Sequence, residues 1–197
     1  MVTDRPVIYA GGMPARRANT VSPADTREAL LGAGVTVADE YGLSGLSVNR
    51  VVAEAGVAKG TFYVHFVDRD AFIDVLHERF HAAAQEAVAA AIDGVPPGAE
   101  QLVRGADAYL DVCLSNRAVK ALSLEARSDP SLMTSMAARH DRFAATAIPS
   151  FKAMGWPDAA AASQLLAAMT NEIAIRELEA GRKLPAARRS LRRFLGA

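Results

Sequence analysis

Apolar positions recur along this chain at three- and four-residue spacing, and no stretch alternates long enough to suggest a strand. The first such segment starts at Ser22-Pro23, a capping residue followed by proline at the first helical position. It runs to about Tyr41 with Leu30, Leu31, Val37, Ala38 and Tyr41 on its inner side. Gly32 and Gly34 each cost a helix interior roughly 1 kcal/mol, so tertiary contacts must support it. After a turn over 42–45, Ser47 can cap a helix in which Val48, Val51, Val52 and Ala55 form one buried face and Asn49, Arg50 and Glu54 point outward. Gly56 supplies the positive φ of a tight corner and Val57 packs into it. A short second helix from about Ala58 then buries Phe62 and Phe66 and leaves Lys59, Thr61, Tyr63 and His65 at the surface.

Asp68 can cap a longer helix reaching toward Ile92, with Phe72, Val75, Leu76, Phe80 and Ala83 inward. The break over 94–98 ends it. Further helices are predicted over 99–115, 117–127, 131–153, 158–180 and 185–195, with Pro149 kinking or dividing the third of these. Residues 1–21 lack periodicity and read as an arm. The expected fold is all-α: the arm over 1–21, a helix-turn-helix domain over 22–67, and a helical domain over 68–197.

Composition narrows the picture. With 197 residues and 51% apolar content the chain can bury a real core. Cys113 is the sole cysteine, so no intramolecular disulfide can form. The expectation is a cytoplasmic protein that engages no membrane, because neither a signal-like core nor a membrane-length apolar run is visible. Net charge is zero and the first 66 residues balance six bases against six acids, so nucleic-acid binding must rest on local placement. The clearest basic cluster, within 181–197, reads as the solvated face of a helix whose Leu191, Phe194 and Leu195 pack inward.

The surface groups left over from the two short helices are hydrogen-bond donors suited to phosphate oxygens and base edges. Taken singly, each also fits the polar face of a bundle. Together, Ala55-Gly56-Val57-Ala58-Lys59-Gly60-Thr61-Phe62-Tyr63-Val64-His65-Phe66, followed by Asp68-Arg69-Asp70, resemble the DNA-binding domain of the TetR family of transcriptional repressors over about residues 24–80. The resemblance implies a homodimeric, ligand-responsive regulator, with repression the expected mode. Its partner would be a palindromic double-stranded operator with half-sites about 34 Å apart. It places Asn49, Lys59, Gly60 and Thr61 near base edges, Tyr63, His65 and Arg69 on phosphates, and Ser47, Arg50 and Arg27 as further backbone contacts. Asn49 departs from the basic residue often found there, and Ala58 from a frequent serine cap.

The family's dimerisation through its last two long helices would use Leu165, Leu166, Met169, Ile173, Leu178, Leu191 and Phe194, although burial within one subunit produces the same pattern. Soft and aromatic groups beyond residue 95, namely Tyr109, Cys113, Met133, Met136, Phe143 and Trp156 with His140 as a polar anchor, suggest a cavity for a small apolar or aromatic effector. A plain packed core is the competing account. No cofactor is expected.

One motif points elsewhere. His77-Glu78-Arg79-Phe80-His81 matches the H-E-x-x-H pattern of helical zinc sites. The third ligand is missing, since Ala84 and Ala87 stand where a glycine and a final histidine would follow, and Glu100 lies beyond a Pro-Gly break. Neither a serine-nucleophile elbow nor a phosphate-binding glycine loop is present. The alternatives to a ligand-responsive regulator are thus a constitutive DNA-binding protein and, less favoured, a zinc hydrolase.

Overall fold

Three helices, α1 (Pro23–Gly45), α2 (Val48–Ala55) and α3 (Lys59–His65), open the chain and pack on the start of α4 (Arg69–Ile92). The computed structural model describes residues 22–118, 120–121, 137–138 and 141–197. Ser22 and Asp25 begin α1 with a reciprocal cap: the serine hydroxyl accepts from Asp25 N at 3.1 Å, and the Asp25 carboxylate accepts from Ser22 N at 3.3 Å. Such caps contribute about 1 kcal/mol. Gly42, at φ 65° and ψ −170°, kinks α1 shortly before its end, so the expected turn over 42–45 is a kink carried within the helix. Tyr41, expected in the core, is 44% exposed, with the Arg50 guanidinium 4.4 Å above its ring.

Gly34 explains one of the two weak points of α1. A Cβ there would sit 2.4 Å from Phe72 Cζ, so the missing side chain is what lets α4 approach. The first core collects Leu30, Leu31, Leu46, Val51, Phe62, Phe66, Phe72 and Ile73, with the rings of Phe62, Phe66 and Phe72 4.9–5.3 Å apart.

The second core contains Phe80, Ala84 and Val88 of α4 and residues of α5 (Ala99–Ser115), α6 (Ile148–Ala153), α7 (Ala159–Ala180) and α8 (Pro185–Phe194). Helix α4 therefore contributes to both cores, and its buried stripe differs from the expected one. Ile73, His77 and Ala84 are buried, while Val75 is half-buried and Ala83 exposed. The stripe drifts because α4 packs on α1 at its start and on α5 further along.

Pro149 divides rather than kinks: helical residues 141–145 end in a turn at 146–147, and α6 starts with Pro149 in its first turn. Of the expected helix over 117–127, residues 117–118 and 120–121 are helical and the remainder lies outside the described residues. Asp158 caps α7 through Ala161 N at 2.9 Å, and Gly181, at φ 66°, ends it.

The α7–α8 corner is held by charge. Buried Glu177 accepts from Arg188 Nη2 at 2.7 Å, Arg188 Nε at 2.8 Å and Leu184 N at 2.8 Å, while Arg188 Nη1 reaches Asp111 at 2.8 Å. Burial pushes the Glu177 carboxyl upward, but the Arg188 and Leu184 bonds outweigh it and hold the group below its ordinary value.

Candidate nucleic-acid interface and inner cavity

The α2–α3 unit is a rigid corner. Ser47 Oγ accepts from Arg50 N at 3.4 Å to cap α2, and Gly56 ends that helix at φ 67° and ψ 29°. Val57 N then donates to Val52 O at 3.0 Å, which fixes the entry to α3. As alanine at position 58 implies, α3 starts without a side-chain cap. Its anchor is Phe62, wholly buried.

With Phe62 inward, the opposite face of α3 is open. Lys59 and Gly60 are exposed, Tyr63 is 51% exposed, and Thr61 and His65 are half-buried. A Cβ at Gly60 would meet nothing within 4 Å, so its backbone can be approached closely. Asn49 on α2 is exposed as well.

Three of the expected backbone contacts have structural partners. Arg69, which the resemblance places on phosphates, instead donates from Nε and Nη2 to the carbonyls of Leu46 and Leu43, both at 2.6 Å, and ties α4 to the entry of α2. Arg50 Nη1 donates to Gly45 O at 2.9 Å, and Arg27 lies 5.2 Å over the Phe66 ring. These arginines position the corner whether or not they also face DNA.

Sequence reasoning passes over Val64, which is 78% exposed on α3, one turn from Gly60. Its neighbour in the following turn, Val67, is 85% exposed. The signal is present in the chain: at helical spacing from buried Phe62, position 64 cannot face inward.

A cavity of about 70 Å³ lies between the end of α4, α5, residues 143–150 and α7. Tyr109 and Phe143 line it with ring centroids 5.0 Å apart. Other expected lining residues lie elsewhere. Cys113 is packed in the core, where burial raises its thiol, and Trp156 is 44% exposed against Phe151. Met133, Met136 and His140 lie outside the described residues.

The expected dimer face also divides. Leu166, Ile173 and Leu191 are buried in the subunit's own core, Leu166 lining the cavity, so they cannot form an outer surface. Leu178 is half-buried. Leu165, Met169 and Phe194 are 63%, 36% and 74% exposed.

The zinc-like motif is not arranged for catalysis. His77 is wholly buried, Glu78 is exposed and His81 is half-buried, whereas catalytic zinc requires an open position for water. Among the described residues no group of three or more His, Cys, Asp or Glu side chains could hold a metal, and no helix is long and apolar enough to cross a membrane.

Residues 30–76 match the model of the bacterial regulatory proteins of the tetR family. No curated protein matches the chain in sequence. Among solved structures, the fold is similar to a TetR-like transcriptional regulator from Rhodococcus sp. RHA1, with 21% identity, TM-score 0.73 and coverage of 86% of this chain and 92% of that one. A transcriptional regulator from Aquifex aeolicus VF5 is 21% identical at TM-score 0.70, covering 87% and 98% respectively. The regulator FadR from Bacillus subtilis, in complex with stearoyl-CoA, is 17% identical at TM-score 0.73, covering 85% and 96%.

Proposed function

We propose that this chain, whose residues 30–76 match the tetR family model, is a TetR-family transcriptional regulator that binds a palindromic operator as a homodimer and is released by a small, largely apolar or aromatic effector. Regulators of this family are DNA-binding transcription factors rather than enzymes. The observation that carries the reading is the outward set on α3, where Lys59, Gly60 and Tyr63 stand exposed on a helix fixed from behind by Phe62. A lysine ammonium and a tyrosine hydroxyl can donate to base edges and phosphates, and a bare glycine admits the duplex closely. One such helix reads few base pairs, so useful specificity needs a second copy. Leu165, Met169 and Phe194 supply the exposed apolar surface for that pairing.

Release by an effector follows from continuity. Helix α4 contributes Phe72 and Ile73 to the core behind α3, and Val88 and Ile92 to the cavity wall. A ligand that favours one α4 position changes the spacing of the recognition helices, provided it binds the two states unequally. The Bacillus subtilis complex with stearoyl-CoA supports ligand binding in this fold.

Fluorescence anisotropy with duplexes selected from a random pool tests the DNA half. Tyr63→Phe should weaken all duplexes alike by removing a phosphate hydrogen bond, whereas Lys59→Ala should also relax sequence preference. Affinity should fall steeply with salt as counterions are released. A salt-independent complex, or equal loss of specificity from both variants, would contradict the assignment.

A further inference from the structure

The cavity's polar groups are committed in one direction. Among the described lining residues none carries a charge, and the polar side chains are Gln101, Thr146, Ser150, Ser163 and Thr170, besides the Tyr109 hydroxyl. Every aliphatic hydroxyl hydrogen already has a protein acceptor. Thr146 Oγ1 donates to Phe143 O at 2.7 Å, Ser150 Oγ to Gln101 Oε1 at 2.5 Å, Thr170 Oγ1 to Leu166 O at 2.8 Å, and Ser163 Oγ to Ala144 O. Gln101 Nε2 donates to Val95 O at 2.8 Å, which leaves one amide hydrogen. The Tyr109 hydroxyl accepts from Lys120 Nζ at 3.2 Å and is itself hydrogen-bonded to the Cys113 sulfur. What the hydroxyls can still offer a ligand is therefore lone pairs.

Resting on the ligand-responsive reading above, we propose that this cavity selects an uncharged ligand that donates a hydrogen bond, a small aromatic or branched alcohol or phenol, and rejects carboxylates and phosphates. An anion entering it would lose its hydration and meet a single free N–H, because the buried Lys120 ammonium behind the Tyr109 wall already donates to the Tyr109 hydroxyl and to Asn171 Oδ1. A hydroxyl on the ligand would meet acceptor oxygens on α5, α6 and α7 while its apolar body lies against the Tyr109 and Phe143 rings. The volume, about 70 Å³ where a cavity of roughly 150 Å³ takes a benzene ring, sets the scale at a short branched chain, with a single ring the upper limit and admitted only as the walls yield.

Gly105 offers a way to perturb the site without breaking the fold. It lines the cavity, and a Cβ there would meet Val88 Cγ1 at 3.5 Å and Ile92 Cγ2 at 3.6 Å, ordinary contact distances.

The test is isothermal titration of the full chain with benzyl alcohol, benzyl methyl ether and benzoate at neutral pH. Benzyl alcohol should bind roughly fivefold to tenfold more tightly than the ether, the worth of one hydrogen bond. Benzoate should bind weaker than the alcohol by about a hundredfold or more. Gly105→Ala should weaken the alcohol while raising the melting temperature, and Ser163→Ala with Thr170→Val should narrow the alcohol-to-ether ratio. Benzoate binding as tightly as the alcohol, or no binding of any of the three, overturns the proposal. Benzyl alcohol that binds as described yet leaves operator affinity unchanged overturns the ligand-responsive reading and leaves the cavity's selectivity standing.

Discussion

Gly32 and Gly34 lie on the same helix, yet they make opposite demands that substitution separates. A Cβ added at Gly32 would meet nothing within 4 Å, whereas one at Gly34 would lie 2.4 Å from the Phe72 ring. Gly32→Ala should stabilise the protein by up to about 1 kcal/mol through helix propensity. Gly34→Ala should destabilise it by about 1–3 kcal/mol through overpacking, despite the same gain in propensity. Urea denaturation of both variants checks this; equal shifts would mean that α1 and α4 do not meet as described. At position 64 the same scale governs recognition. An exposed valine on α3 can contact a thymine methyl in the major groove. Replacing thymine by uracil at one position of a selected half-site should then weaken wild-type binding severalfold and leave Val64→Ala almost unaffected. If no thymine-to-uracil replacement separates the two proteins, Val64 reads no methyl group.

At the scale of elements, the α7–α8 corner depends on ionised carboxylates. Glu177 and Asp111 are both held below their ordinary values, in each case because ion-pair hydrogen bonds outweigh burial. A depressed folded-state pKa stabilises above the unfolded value and is lost as pH falls through the folded one. Unfolding midpoints should therefore be flat from pH 7 down to the ordinary carboxylate values, 4.5 for glutamate and 3.8 for aspartate, and fall below them. Glu177→Gln should remove part of that dependence and, by taking one of its charge partners from half-buried Arg188 while Asp111 remains, destabilise the protein by about 1–3 kcal/mol at pH 7. An unchanged acid limb in the variant would assign the loss to other carboxylates.

At the scale of the whole molecule, the proposed dimer would draw its specificity from two recognition helices at fixed separation. Leu165→Glu with Phe194→Glu should leave the subunit folded, because both side chains are largely exposed, yet shift sedimentation to the monomer. Operator affinity should fall by about a hundredfold or more as the second half-site is lost. A monomer that still binds the palindrome at full affinity would remove the dimer from the mechanism. Because α4 contributes to both cores, it offers a path by which a ligand in the cavity would act on DNA. Binding should consequently be reciprocal, with operator weakening the ligand by the same factor as ligand weakens operator.

What the sequence determined by itself was local. The Ser22-Pro23 start, the Gly56 corner and the Asp68 cap are chemical requirements of single turns, so they are readable without a partner surface. The motif over 55–66 was readable for the same reason, since its buried Phe62 and Phe66 and its exposed Lys59 and Tyr63 follow from one helical period. Tertiary structure decided whatever depends on which of two apolar surfaces a side chain meets. Leu165 and Leu166 are adjacent in one stripe, yet the packing of α7 against α5 turns Leu166 to the cavity and leaves Leu165 outside. It also committed Arg69 to the carbonyls of Leu43 and Leu46, more than twenty residues away, and aimed the hydroxyl of Ser163 at the Ala144 carbonyl. A sequence period fixes the direction of a side chain around its own helix; only the arrangement of neighbouring helices fixes what stands in that direction.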